Sequence, residues 1–249
     1  MLSYHKRLYE QYVLTHFSLI RDISLESIER MRPIFRAYFG EFLPESKNAK
    51  ILDVGCGFGS FLYFLDKEGY QEILGVDISE EQVETAKRLG ISSVSCEDLM
   101  VYLEKHKNHF DCISALDVVE HLSKEEVLPF LDIVFEALKP GGTFLIQAPN
   151  GASPLSGIIR YSDFTHEIAL SDKSANQLLR VVGFVDVQVF PTGPVVHGFM
   201  SACRWMLWRG FHFFIQLYLV AETGVFRGHI LTQNLIGVAR KPKSKEIPL

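Results

Sequence analysis

The sequence has few cysteines and no cysteine motif. Its four cysteines, Cys56, Cys96, Cys112 and Cys203, are scattered and form no C-x-x-C pair. Disulfide frameworks and zinc sites both depend on patterned cysteines, so this usage predicts reduced thiols in a cytoplasmic protein. No run of histidines and carboxylates has the spacing of metal ligands either, and the sequence alone predicts no metal site.

Long tracts of lysine and arginine are also missing. The 249 residues carry a net charge of −5, which argues against nucleic acid as the main partner. Residues 1–21 mix charged, aromatic and apolar side chains and lack the continuous apolar core of a signal peptide. No segment is a clean transmembrane span. The length suits one large α/β domain with a full core.

The most informative stretch is a glycine turn that follows a buried strand. Residues 51–62 read ILDVGCGFGSFL. The apolar residues suit a central parallel strand, and Gly55, Gly57 and Gly59 let a ligand approach bare backbone at the start of a helix. Asp53 is unusual for a dinucleotide site, because its carboxylate repels a pyrophosphate and attracts an ammonium group. The turn therefore favours a ligand with a cationic amino-acid portion, such as S-adenosylmethionine.

Two further carboxylates follow at strand ends. Asp77 ends the predicted strand 73–77, near the ~20-residue distance expected for a ribose-binding acid, and can accept both ribose hydroxyls. Asp98 follows a weak third strand at residues 92–95. Its carboxylate can accept from the exocyclic amine of adenine, or it can cap the helix that begins beside it.

Strands and helices alternate through the middle of the chain. Residues 110–116 and 143–148 are predicted as the fourth and fifth strands, with a helix over 124–138 and a Lys-Pro-Gly-Gly turn over 139–142 between them. This order predicts a doubly wound parallel sheet. Residues 1–49 are predicted as a helical preface, or cap, ahead of a domain over 50–249. In the preface, Tyr12 and His16 can line a substrate pocket or pack on the core.

Taken together, these motifs resemble a class I S-adenosylmethionine-dependent methyltransferase. The likeness covers residues 48–192, and more loosely 230–240, through the glycine turn, Asp77, Asp98-Leu99, the segment 115–122 and the turn 138–142. It implies a Rossmann-like, seven-stranded sheet whose last strand, at 230–239, is antiparallel, with the sixth strand at 184–190. The implied cofactor is S-adenosyl-L-methionine. Its predicted contacts are Asp53, Gly55, Cys56, Gly57, Gly59, Asp77, Ile78, Asp98, Leu99 and Leu116.

The acceptor is less well defined by the resemblance. The preface and the segment 163–167 are similar to methyltransferases of polysaccharide and O-antigen assembly, which implies O-methylation of a sugar or lipid-linked glycan. The Glu120-His121 segment is shared with ubiquinone-pathway O-methyltransferases, so a small quinone-like acceptor is an alternative. A cofactor-binding partner protein without activity is another. A nicotinamide dehydrogenase is disfavoured by Asp53 and by the Pro-Gly-Gly turn.

The loop over 149–170 leaves the carboxyl end of the fifth strand, where open parallel sheets bind their ligands. It is long and rich in polar groups, as functional loops are. His166 is the predicted general base, because an imidazole titrates near neutral pH and can take a hydroxyl proton. His121 at the same edge is its rival, and Asp163 can hold the His166 ring. The predicted substrate contacts in this loop are Asn150, Arg160 and Tyr161.

The connection 191–229 between the last two strands is far longer than a hairpin needs, and it must overhang the substrate edge. Its core over 199–220 is very apolar. Five polar residues share an arc of about 140° on a helical wheel: Ser201, Arg204, Arg209, His212 and Gln216. A spanning helix does not tolerate such a stripe. The segment is therefore predicted as a lid, a dimer face or an interfacial helix with Trp205 and Trp208 at the inner face of a membrane.

Overall fold

The computed structural model describes residues 4, 7–8, 23–225 and 228–243 of the chain. Its helices are α1 (Leu25–Phe39), α2 (Ser60–Lys67), α3 (Glu80–Arg88), α4 (Leu99–Glu104), α5 (Lys124–Ala137), α6 (Ser156–Arg160), α7 (Asp172–Val182) and α8 (Phe199–Thr223). Its strands are β1 (Lys50–Val54), β2 (Glu72–Asp77), β3 (Val94–Cys96), β4 (Phe110–Leu116), β5 (Leu138–Pro149), β6 (Val185–Pro191) and β7 (Asn234–Arg240).

The strands form one seven-stranded sheet in the order β3-β2-β1-β4-β5-β7-β6. The first five strands pair in parallel, whereas β7 runs antiparallel between β5 and β6. Helices cover both faces, so β1 buries apolar side chains on each side of the sheet: Leu52 and Val54 lie in one apolar cluster and Ile51 in another. The predicted α/β, Rossmann-like, doubly wound sheet with an antiparallel last strand is confirmed.

Two strands, β5 and β7, differ from the predictions by more than two residues at their start. The Lys-Pro-Gly-Gly segment lies inside β5, because the Gly141 amide donates to the Lys241 carbonyl and the Lys241 amide donates to the Gly142 carbonyl, at 2.9 Å each. The register with β4 shifts at this point, so the segment is a bulge and not a connecting turn. The last strand begins at Asn234, later than predicted, because main-chain carbonyls in 230–233 accept hydrogen bonds from Asn150.

The described part of the preface packs directly on the domain. Helix α1 begins at a capping box formed by Ser24 and Ser27. It buries Phe35 and Phe39 in one apolar cluster with Phe61 of α2. The preface helix thus shares a core with β1 and α2. Tyr12 and His16 lie outside the described residues, and their predicted place in a substrate pocket stays a prediction.

The long insertion contains one continuous helix, α8. Trp208 lies against Gly193, whose main chain is hydrogen-bonded to the Tyr38 hydroxyl of α1. Trp208 also stacks on the His212 ring at a centroid distance of 4.9 Å. Trp208 therefore belongs to the side that faces the domain, as in the lid alternative and contrary to the interfacial-helix alternative. Within the described residues, no helix has the length and apolar character needed to cross a bilayer.

Many apolar side chains of α8 are exposed instead. Phe199 and Phe211 are 82% and 70% exposed. The others on this exposed apolar face are Met200, Trp205, Met206, Leu207, Phe213, Phe214, Leu217 and Tyr218. Of the predicted polar stripe, Ser201 is buried and hydrogen-bonded to the main chain at residues 197 and 198. Ser201 thus turns inward, whereas Arg204 and Arg209 are exposed together with the apolar side chains.

Candidate active site

The glycine turn joins the carboxyl end of β1 to α2. Gly55 has a φ of +65°, and a Cβ at this position would lie 2.5 Å from Cγ2 of Val118, so a side chain fits neither the backbone nor the space. Gly59, in the left-handed region, is the N-cap of α2 and offers no side-chain cap. The first amides of α2 are therefore left for a ligand at the positive end of the helix.

Asp53 lies buried under this turn. It pairs in register with Ser114 of β4, whose hydroxyl donates to Asp53 Oδ1 at 2.7 Å. The side chain is 3% exposed. Burial raises the pKa of Asp53 to about 7. The negative charge of Asp77 raises this pKa further, whereas the hydrogen bond from Ser114 lowers it. A cationic group placed beside it would stabilise the ionised carboxylate, as the sequence analysis expects of an ammonium group.

Asp77 ends β2 and holds the glycine turn in place. Its Oδ2 accepts from the Gly57 amide and its Oδ1 from the Ser79 amide, both at 2.8 Å. Burial raises the pKa of Asp77, and the backbone donors oppose that shift. The carboxylate accepts from the backbone of Ser79, Gly57 and Ile78 and still has a lone pair for a ribose hydroxyl. Sequence spacing indicates the ribose role, but it gives no sign of the bond to Gly57.

The other predicted cofactor contacts occupy the same edge of the sheet. Asp98 caps α4, since its Oδ1 accepts from the Met100 and Val101 amides at 2.9 and 3.2 Å. The capping alternative is therefore correct, and the exposed carboxylate still has lone pairs for an adenine amine. Leu99 follows this cap at the first position of α4, where it is half-buried.

The remaining three contacts differ in what they can offer a ligand. Ile78 is 41% exposed beside Asp77. Leu116 is the half-buried last residue of β4. The Cys56 side chain is buried and points at β2, because a Cβ on Gly75 would lie 2.6 Å from its sulfur. Cys56 can therefore meet a ligand only through its backbone.

Across the edge, the segment after β4 meets the loop after β5. Glu120 and His121 lie in a short 3-10 turn next to Val118. The Glu120 carbonyl accepts from the Glu167 and Ile168 amides at 2.7 and 3.2 Å, which binds the loop to this turn. One potential ligand atom from each of Glu120, His121 and His166 lies within 4.8 Å of the others.

Hydrogen bonds fix the tautomers of the two imidazoles. His166 Nδ1 lies 3.1 Å from the Ile159 carbonyl, which can only accept, so Nδ1 carries the proton and Nε2 a lone pair. His121 Nδ1 lies 2.8 Å from the Thr165 hydroxyl, which donates to Asp163 Oδ1 at 2.7 Å. That hydroxyl must therefore accept from His121 Nδ1, so Nδ1 carries a proton. Burial is the main cause that lowers the pKa of His166, so its ring is neutral at pH 7.

Glu120 is an unusual carboxylate for this location. It is 2% exposed, and its Oε2 has no hydrogen-bond partner among the described residues. Burial and the neighbouring charges of Asp117 and Asp163 raise its pKa well above the ordinary value. Residue spacing alone does not group Glu120 with His166, because the two lie far apart in sequence and meet only through the folded loop.

Two predicted substrate residues serve the loop itself. Asn150 is 1% exposed and donates to the Ile230 and Thr232 carbonyls at 2.7 and 2.8 Å, while its Oδ1 accepts from Ala152. Both of its amide hydrogens are therefore used, and its prediction as a substrate contact is corrected to a structural role. Arg160 donates to the main-chain carbonyls of residues 166 and 167, the latter at 2.5 Å, so its guanidinium also secures the loop.

Two aromatic residues of the same loop are open to a ligand. Tyr161 and Phe164 are 80% and 83% exposed. Tyr4, from the preface, meets the Phe164 ring edge-on at a centroid distance of 6.1 Å and donates to the Glu167 carboxylate. Part of the preface therefore reaches the loop that holds His166.

The fold and this edge define a class of protein: a Rossmann-like α/β domain that binds a nucleoside-containing ligand across the glycine turn. Residues 27–189 match the family described as methyltransferase domain. The chain belongs to this family, and its cofactor is S-adenosylmethionine.

Curated relatives share only part of their length with the chain. It is 29% identical over 142 residues to a small RNA 2'-O-methyltransferase of Schizosaccharomyces pombe, a match that covers 49% of the chain and 36% of that protein. It is 34% identical over 112 residues to the human mitochondrial ubiquinone biosynthesis O-methyltransferase, a match that covers 41% of the chain and 29% of that protein. The chain thus spans about a third of the length of these relatives.

Solved structures share the fold over most of the chain. A SAM-dependent methyltransferase from Archaeoglobus fulgidus has a TM-score of 0.62 at 22% identity, with 95% of this chain and 100% of that chain covered. A second structure is phosphoethanolamine N-methyltransferase 2 of Haemonchus contortus in complex with S-adenosyl-L-methionine. It has a TM-score of 0.60 at 17% identity, and the match covers 97% of this chain and 60% of that chain.

Proposed function

We propose that the chain transfers the methyl group of S-adenosylmethionine to a hydroxyl oxygen of a lipid-linked glycan or sugar in polysaccharide biosynthesis. The observation that carries the oxygen acceptor is the imidazole pair His121 and His166, whose ring centroids are 4.9 Å apart. Two imidazoles at the same edge as the cofactor turn, of which His166 is neutral at pH 7, suit an acceptor that must lose a proton. An amine acceptor that is already neutral needs no such group.

The reaction is an in-line displacement at the sulfonium methyl. The acceptor oxygen forms a bond to the methyl carbon while the sulfur–methyl bond breaks, and sulfur keeps the electron pair as the neutral thioether. The chain positions the two reactants, and His166 Nε2 takes the hydroxyl proton. Asp163 acts as a positioning residue through Thr165 and His121.

The exposed apolar face of α8 supports an acceptor with a lipid anchor. A contiguous helix surface of phenylalanine, leucine, methionine and tryptophan suits the interface of a bilayer. Peripheral contact with a membrane through residues 199–220 would bring the acceptor edge of the sheet to a lipid-carried substrate. The exposed Tyr161 and Phe164 of the acceptor loop extend the aromatic surface available to it.

A quinone-like acceptor is the second candidate. The observation that favours it is the human relative, which is named as an ubiquinone biosynthesis O-methyltransferase. The relatives named above include no glycan enzyme, so the glycan rests on the likeness of the preface and of residues 163–167. A third candidate, a cofactor-binding partner without activity, predicts tight cofactor binding and no methyl transfer.

One experiment separates the candidates. The protein is incubated with methyl-labelled S-adenosylmethionine and either a lipid extract or a polar extract of cells, and the labelled product is partitioned and treated with glycosidases. We expect label in the lipid fraction that becomes water-soluble after the lipid–glycan linkage is cleaved. Label that stays in the organic phase indicates a quinone-like acceptor. No transfer to either extract, with the cofactor bound, contradicts enzymatic O-methylation.

A further inference from the structure

We infer that Glu120, His121 and His166 form a binding site for one divalent transition-metal ion that activates the acceptor hydroxyl. This inference rests on the proposed O-methyl transfer, because it states how the hydroxyl loses its proton. It takes His166 as a ligand of the ion, in place of the direct proton acceptor described above.

The three ligand atoms are close enough for one ion. They lie within 4.8 Å of one another. In a site with metal–ligand bonds of about 2.1 Å, neighbouring ligand atoms are roughly 3–3.5 Å apart. Small side-chain rotations of Glu120, His121 and His166 would therefore bring them into coordination. Three protein ligands leave coordination positions for an acceptor oxygen.

The surroundings of both imidazoles are those of metal ligands. A ligating histidine commonly donates its other ring N–H to a carbonyl or to a carboxylate system, which fixes the tautomer. His166 Nδ1 donates to the Ile159 carbonyl. His121 Nδ1 donates to Thr165, which in turn donates to Asp163. Both rings therefore carry a proton on Nδ1, as metal ligands that bind through Nε2 do.

Glu120 supplies the second, independent observation. Its Oε2 is buried and has no hydrogen-bond partner among the described residues, which is costly for a carboxylate. The nearby charges of Asp117 and Asp163 are also negative. The guanidinium of Arg160 is directed at two backbone carbonyls. A bound cation would satisfy Oε2 and offset this accumulation of negative charge.

A carboxylate suits Mn²⁺ and imidazoles suit Zn²⁺, so this mixed set of ligands can hold either divalent ion. An acceptor hydroxyl bound to the ion becomes more acidic, because the cation stabilises the alkoxide. Its proton passes to a water molecule, and the alkoxide oxygen forms the bond to the methyl carbon. The sulfur–methyl bond breaks at the same time, with the electron pair retained by sulfur.

Metal binding can be measured without an acceptor. Protein stripped with a chelator and dialysed against metal-free buffer is titrated with MnCl₂, with calorimetry and electron paramagnetic resonance as readouts. We expect one ion per chain. Glu120→Gln and His121→Ala should each weaken binding by about 10- to 100-fold or more. His109→Ala is the matched control, since this half-buried histidine lies outside the cluster, and it should bind as the parent does.

Folding is monitored in the same samples. In metal-free buffer, Glu120→Gln should unfold at the parent's temperature or above it, because the substitution replaces a buried carboxyl group whose Oε2 lacks a hydrogen-bond partner. In MnCl₂ the parent should gain stability and Glu120→Gln should not. No stoichiometric binding by the parent, or equal binding by Glu120→Gln, overturns the inference.

The two proposals fail in different ways. If metal-free protein, verified by elemental analysis, still methylates its acceptor at the parent rate, the metal site is wrong and O-methyl transfer stands. If Mn²⁺ binds to the three residues and no hydroxyl acceptor is ever labelled, the site stands and the proposed function is wrong.

Discussion

The amide of Gly57 donates to Oδ2 of Asp77 at 2.8 Å, so the residue proposed to bind ribose also fixes the turn proposed to bind the amino-acid portion. The bond joins the loop after β1 to the end of β2. Each half of the cofactor site therefore depends on the other, and a change at either residue should alter both.

Gly57→Ala should weaken cofactor binding and destabilise the protein by about 1–2 kcal/mol, because Gly57 has a φ of +55°. A Cβ there would also lie 2.8 Å from Oε1 of Gln82. Gly69→Ala is the matched control, since Gly69 has a φ of +87° with nothing near its Cβ position. Gly69→Ala should lose stability and keep the parent's cofactor affinity. Chemical denaturation and calorimetry measure both variants, and equal cofactor affinity in the two would contradict the role of Gly57.

Cofactor affinity should fall as the pH is lowered below 7. The pKa of Asp53 is raised to about 7, and the ammonium group requires its ionised form, so each pH unit below 7 should cost up to about tenfold in Kd. Calorimetry between pH 5.5 and 8 checks this dependence. Asp53→Asn should bind the cofactor weakly, with a Kd that does not change over this pH range. A parent whose Kd is flat across this range would refute the pairing of Asp53 with the ammonium.

The same carboxyl should affect stability in the opposite direction. Because the folded-state pKa of Asp53 lies above its unfolded value of about 3.9, its contribution is fully present below pH 4 and is lost as the pH rises to about 7. The ligand-free parent should therefore lose more stability than Asp53→Asn between pH 4 and 7. Parallel stability curves for the two proteins would show that Asp53 is not protonated in the folded state.

His166→Ala should retain cofactor affinity and lose turnover by about 10²–10⁴-fold, the usual contribution of a group that assists proton removal. His166→Gln should not restore it, because an amide neither takes a proton nor replaces the imidazole as a ligand. The measurement is methyl transfer to the identified acceptor, with cofactor binding as the reference. His121→Ala tests the rival residue. If both variants stay within a few-fold of the parent, positioning alone accounts for the rate.

The exposed apolar face of α8 should bind membranes. Phe211 and Phe214 are 70% and 67% exposed and lie one turn apart, so replacing both with serine should abolish sedimentation with anionic or neutral liposomes. Cofactor affinity should not change. Leu128→Ser, which alters an exposed leucine of α5, is the control and should sediment as the parent does. A parent protein that fails to sediment, or a double variant that sediments equally, would refute membrane contact.

The sequence pattern predicts the fold well where local signals agree. β4 occupies the predicted residues 110–116, because an apolar run bounded by polar residues leaves few alternatives. The glycine turn and the positions of Asp53 and Asp77 in the first two strands follow from the sequence pattern. The grouping of Glu120 with His166 does not, because two backbone bonds from the loop to the Glu120 carbonyl bring the residues together. Asn150 was misjudged because a polar residue in a functional loop can serve the loop itself.

The central claim is that S-adenosylmethionine binds across the glycine turn with Asp77 on its ribose. Calorimetric titration of S-adenosylhomocysteine into the parent and into Asp77→Ala tests it most directly, with unfolding temperatures as a check that the variant is folded. The account predicts one site per chain and a loss of roughly 1.5–3 kcal/mol in Asp77→Ala, the scale of hydrogen bonds to a charged group. Equal affinity in the parent and a folded Asp77→Ala would contradict it.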